Sequence, residues 1–269
     1  VALVRAPRRL SSAYWLRIER IRRQLIRSAE AQWALAGFNS PPIDESVALT
    51  LAAQRLAVRQ TDAYLTVAAA SALDAAPEVT GLDPERIIGR ASRRGVSLEE
   101  VFARTALVGR QDGFQRGVSY LRQQLVTNVT LAARQAEHVG MAVDERITGY
   151  IRVNNPGGGK VCGMCVAAAT RIYHKADLRP MHHHCRCTVA TVYETASKGT
   201  VDRSRLDAVY RDSGGDTSRR ALGRLRYSED DLPASVEADA IRALQVRVEM
   251  DRELGPMLQA ARHDTAFTI

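Results

Sequence analysis

The sequence is short of lysine, of aromatic rings and of long apolar runs. Only three lysines, Lys160, Lys175 and Lys198, stand among its 38 basic residues. The others are arginines, a ratio that reflects a GC-rich genome more than any selected chemistry. Aromatic residues make up 5% of the chain while alanine is abundant, which disfavours a sandwich built on large rings and favours helices packed at close range. No uncharged apolar run reaches about 18 residues, so no membrane-spanning helix is expected. The early arginines are not followed by the apolar stretch of a secretory signal. Nothing points to an oxidising compartment, and the four cysteines are expected as thiols or metal-bound thiolates.

What is present is a chain of 269 residues with 45% hydrophobic and 25% charged residues, long enough for one large domain or two ordinary ones. Its net charge of +8 is unevenly placed. Arg5, Arg8, Arg9, Arg17, Arg20, Arg22, Arg23 and Arg27 face only Glu19 over the first 27 residues. A basic helix of this kind is either a solvated face or a surface for nucleic acid or an acidic partner.

Periodicity predicts a mainly α protein. Ser11-Ser12 can cap a helix running to Ala36 and stopped by Gly37, with Tyr14, Ile18, Ile21, Leu25, Ala29 and Trp33 on one apolar stripe. Arg20, Arg23 and Arg27 project roughly opposite that stripe, and the stripe must bury against its own neighbours or a partner. A second helix is expected from Asp44 or Ser46 to about Ala76. Asp83-Pro84 has the form of a cap with proline at the first helical position. Ser97-Leu98-Glu99-Glu100 has capping-box spacing and opens a helical stretch toward His138. Gly109, Gly113 and Gly117 either break that stretch or let a neighbour approach closely.

After about Asp144 the period changes. Residues 147–153 alternate and are β-rich, Arg171-Ile172-Tyr173 is a second strand candidate, and Cys187 to Tyr193 a third. Beyond Ser197 the chain is polar, with helices expected at 202–211, 218–226 and 234–262, the last bent at Gly255-Pro256. The expected organisation is therefore a helical domain over 1–146, a small β-containing Cys/His module over 147–195, and a polar helical tail over 196–269.

The module holds every cysteine of the chain and four of its six histidines. Cys162-Gly163-Met164-Cys165 is a C-x2-C turn, and after 16 residues comes His182-His183-His184-Cys185-Arg186-Cys187. Two pairs of soft ligands separated by a short insert have the form of a tetrahedral zinc site, each pair chelating within a tight turn. Cys162, Cys165, His182 and Cys185 are the expected ligands, with Cys187 and His184 as alternates. Four protein ligands close the site to an activated water, which makes the zinc structural. A disulfide pair would need an oxidising compartment. A redox C-x-x-C should precede a helix inside a βαβ unit and would leave the second cluster unexplained.

No catalytic residues are assigned. The H-E-x-x-H helix of zinc proteases is missing, the deaminase pattern fails at His138 and Val161, and Gly158-Gly159-Lys160 lacks the remainder of a phosphate loop.

At these residues the chain resembles the phage Mu F-like minor capsid, or head-morphogenesis, proteins. The shared pattern is C-x2-C, a small-residue run ending near Tyr173, then H-x-x-C-R-C and a short apolar strand over 188–193. "YIRVNNPGGGKVCGMC" is similar to versions from phages of actinobacteria. The specific likeness covers roughly Gly149 to Glu194; the helical part agrees in character alone. The resemblance implies a virion component assembled in the host cytoplasm, associated with the portal and acting in head assembly or DNA delivery. Its implied partners are portal subunits, further copies of itself, capsid or scaffold proteins, and packaged DNA, with no membrane. The arginines Arg17, Arg20, Arg23 and Arg27 then have the portal or the genome as candidate surfaces. A capsid maturation protease and a zinc-containing DNA-binding protein are the alternatives.

Overall fold

The computed structural model describes residues 8–74, 81–88, 95–154, 160–175, 187–193, 202–228, 246–251 and 255–260. Three long helices form its body: α1 (Arg8–Ala36), α2 (Ile43–Leu73) and α5 (Phe114–Val143), with α3 (Pro84–Ile88) and α4 (Leu98–Asp112) between the last two. The stripe of α1 turns inward, with Leu10, Tyr14, Ile18, Leu25, Ala29 and Trp33 all buried in one core. That stripe therefore packs within the chain. Among the described residues no helix is long and apolar enough to cross a membrane.

The helix ends follow local chemistry with two exceptions. Gly37 stops α1 at φ +73°, and the Ser97–Glu100 capping box opens α4. Asp83 accepts from the Glu85 amide at 3.0 Å ahead of Pro84. Ser11, however, is no cap. The helix is already formed at Arg8, and Ser11 is fully buried inside it. Helix α2 likewise starts one residue before Asp44 and ends at Asp74 in the left-handed region, ahead of Ala76. Ser46 is buried too, and its hydroxyl accepts from the Trp33 indole at 2.8 Å.

Both readings of the glycine triplet hold, at different positions. Gly113 (φ +89°) separates α4 from α5. Gly109 and Gly117 admit the Phe38 ring, because a Cβ there would lie 2.2 and 2.5 Å from ring carbons. Phe38 is itself wedged against Trp33 and Phe114, at centroid distances of 5.1 and 5.6 Å. Gly109→Ala or Gly117→Ala should therefore lower stability by about 1–3 kcal/mol through overpacking. Urea unfolding of each variant checks this, and an unchanged midpoint would count against the close approach.

The sheet is built from β1 (Gly149–Val153), β3 (Ile172–His174) and β4 (Thr188–Val192) in the order β3-β1-β4, all antiparallel. Every residue of β1 and β4 is buried. Tyr150, Val153, Val189, Ala190 and Tyr193 join the helical core, so one apolar cluster runs unbroken across residue 146. Arg152 is tolerated in this buried strand with its guanidinium over the rings of Tyr150 and Tyr173, at 5.9 and 5.7 Å.

A second apolar cluster gathers β2 (Val161–Cys162), α6 (Gly163–Ala168), α7 (Arg203–Asp212), α8 (Arg219–Arg224) and β5 (Arg226–Tyr227). The expected helix over 234–262 is overturned where it is described. β6 (Val246–Asp251) and β7 (Gly255–Ala260) pair as antiparallel strands. The sequence carries the reason: Val246, Val248 and Met250 alternate with Arg247, Glu249 and Asp251, a period of two.

Candidate metal centre and basic face

The C-x2-C motif sits at a strand-to-helix turn. β2 pairs antiparallel with β5, placing Cys162 opposite Arg226. Cys162 is extended (φ −77°, ψ 150°) and precedes α6, whose first turn carries Cys165. A helix does follow the motif, as in redox proteins, but the strand partner is antiparallel and no βαβ unit results. Gly163 is required by packing. A Cβ there would meet the Leu222 carbonyl oxygen at 2.9 Å and Leu225 Cβ at 2.8 Å.

Cys165 and Cys187 are each 2% exposed, and both belong to the second apolar cluster, against which the half-buried Cys162 packs. No disulfide joins these three to one another. Cys187 Sγ donates to Asn154 Oδ1 at 3.2 Å, and its backbone carbonyl accepts from Arg134 of α5. Two residues further on, Ser11 Oγ lies 3.2 Å from the Val189 carbonyl, and Tyr64 donates to that same oxygen at 2.5 Å. The strand leaving the cysteine cluster is thus held by side chains of α1, α2 and α5. Burial raises the Tyr64 phenol well above its ordinary pKa near 10, with the Ser11 hydrogen bond opposing that shift.

The structure therefore brings Cys162, Cys165 and Cys187 to one apolar neighbourhood. His182, His183, His184 and Cys185 lie outside the described residues. Among the described residues no three His, Cys, Asp or Glu side chains are grouped so as to hold a metal ion. Buried cysteine sulfur of this kind suits a soft divalent ion better than a hard one. Compared with known proteins, the chain matches no protein-family model, no curated protein and no solved structure.

The basic residues of α1 divide into two groups. Arg20, Arg23 and Arg27 are exposed, and Arg23 lies 3.4 Å from Glu19. Arg17 is half-buried and donates to Gln60 Oε1 at 3.1 Å; burial, then the nearby Arg20, lowers its pKa. Arg22 is buried, donates to Thr130 Oγ1 at 2.6 Å, and pairs with Glu19 at 3.3 Å. Only three of the four arginines expected on the partner surface thus share the open face.

Residues that sequence reasoning missed include Asn154, Arg134 and Arg205. Arg205 had one legible signal, since it stands four residues before Val209 and both are buried on α7. An arginine on the apolar side of a short helix is worth noting for its charge alone.

Proposed function

We propose that this chain is a structural assembly protein of a tailed-phage head, a minor capsid or head-morphogenesis protein associated with the portal. Its Cys/His segment holds a structural zinc ion through Cys162, Cys165, His182 and Cys185, with Cys187 and His184 as the alternate ligands. The supporting observation is that the cysteines of two distant segments meet in one apolar cluster beside a sheet built into a long-helix body. That arrangement is what the resemblance over residues 149–194 leads one to expect. In the assembled head the open face of α1, carrying Arg20, Arg23 and Arg27, meets an acidic portal surface or packaged DNA.

The protease reading has less to support it. Ser119 and His138 both lie on α5, about 28 Å apart along the helix and beyond hydrogen-bond reach. Co-expression with the portal protein of the same phage tests the proposal. The chain should co-purify with the portal ring. The triple substitution Arg20→Gln, Arg23→Gln, Arg27→Gln should weaken that association several-fold and lessen its salt dependence. Cleavage of a capsid precursor by the purified chain, stopped by a serine or histidine substitution, would replace this reading with the protease.

A further inference from the structure

A single residue joins α4 to α5. Gly113 is at once the C-cap of α4 and the N-cap of α5, at φ +89° and ψ 166°. That backbone region is in practice open to glycine alone. A Cβ at Gly113 would meet nothing within 4 Å, so conformation rather than crowding requires the glycine. The bend folds α4 back, and its face of Phe102, Thr105, Ala106 and Gly109 is buried.

Apart from this glycine, the sequence at the bend suits an unbroken helix better than two helix ends. The start of α4 has a capping box, whereas α5 starts with no side-chain cap. Asp112 closes α4 and Arg116 stands in the first turn of α5, both exposed. Each carries the wrong sign for the helix end it occupies. In a continuous helix over 98–143 the same two residues make an i, i+4 pair, acid before base, which is the favourable order.

The glycine triplet fits both arrangements as well. In the bent chain Gly109 and Gly117 meet, and a Cβ on Gly117 would lie 2.6 Å from Gly109 Cα. Spaced at i, i+4 and i+8, Gly109, Gly113 and Gly117 share one face of a continuous helix. Two such helices, antiparallel about a two-fold axis at Gly113, bring Gly109 of one copy to Gly117 of the other. The contact of the bent chain is then remade between copies. Residues 8–112 of each copy pack against α5 and the sheet of the other, and the same core forms twice.

We propose that Gly113 is an exchange hinge, at which α4 and α5 straighten into one helix about 69 Å long and two copies form a domain-swapped dimer. The partner is a second copy of this chain, because the face that α4 leaves is shaped to α4 itself. The proposal stands apart from the zinc reading and from the arginine face of α1.

The test uses the full chain, refolded from urea under reducing conditions at low and at high concentration and sized by light scattering. Wild type should yield a dimer whose share rises several-fold with refolding concentration. That dimer should persist for hours on dilution, since undoing the exchange opens the core. Gly113→Ala is strained in the bend and favoured in a helix, so it should raise the dimer-to-monomer ratio at least about tenfold. Phe114→Pro should be monomeric throughout. Proline suits the first position of α5 but breaks a continuous helix. Should Phe114→Pro fail to fold by circular dichroism, inserting Gly-Ser-Gly after Gly113 decides the same question, and that chain should be monomeric. Wild type and Gly113→Ala that stay monomeric at every concentration overturn the proposal. So does a dimer that survives in Phe114→Pro or in the lengthened chain, since its contacts do not run through the straightened helix.

Discussion

Replacing Cys165 by serine is expected to abolish zinc binding and to loosen residues 160–175 and 202–228 while the long helices remain formed. The purified wild-type chain should carry about one zinc ion if the Cys/His segment forms the single four-ligand site proposed for it. The two apolar clusters explain the selectivity. Cys165 belongs to the smaller one, with Val161, Val166, Val209, Leu222 and Tyr227. The sheet strands β1 and β4 bury instead in the larger core with α1, α2 and α5. A cluster this small does not by itself offset the entropy of ordering its segments, so under the proposed zinc reading it depends on the ion. Limited proteolysis should cut the variant first in those two segments, with helical circular dichroism nearly unchanged. Equal resistance of variant and wild type, or a wild type with no metal, would refute the structural-zinc account.

Removing residues 1–36 is expected to unfold the chain altogether, including the sheet. Leu10, Tyr14, Ile18, Leu25 and Trp33 are each buried to within a few per cent, and burial of five such side chains stabilises by roughly 8–15 kcal/mol. That is the whole net stability of an ordinary domain. The deletion also strips Ser11 from Tyr64 and the Val189 carbonyl, exposing a buried phenol and a strand carbonyl. The truncated chain should be insoluble or lack a cooperative melt. The triple arginine substitution on the open face should melt within a few degrees of wild type, because surface changes rarely exceed about 0.5 kcal/mol each. A truncated chain that still melts cooperatively near the wild-type temperature would show that α1 is dispensable to the core. The contrast makes substitution, rather than deletion, the way to probe what α1 meets in the assembled head.

How far the site could be read in advance follows from the range of each signal. The C-x2-C turn and the histidine-cysteine run stand out because chelation is a matter of spacing within a few residues. That Cys187 shares a cluster with Cys165 depends on β4 pairing with β1, whose register sets Val153 against Thr188. That Val209 joins them depends on α7 folding back onto α6 across more than 40 residues of chain. No local pattern encodes either meeting.

The same division runs through the fold. The long helices, the glycine stops, the capping box at Ser97 and the buried strands were legible from sequence, since each rests on a period or a cap within a few residues. The alternation over 246–251 was equally local, yet it lay inside a stretch rich in helix formers, and strand pairing with 255–260 decided it. Only tertiary structure decided that Ser11 bonds inward, that Gly109 and Gly117 seat Phe38, and that the helices and β4 share one core. In each case the partner is distant in sequence. A hydroxyl three residues into a helix, or a glycine inside one, looks the same whether it faces water or a ring. Burial against that distant partner, which no neighbouring residue specifies, settles which it is.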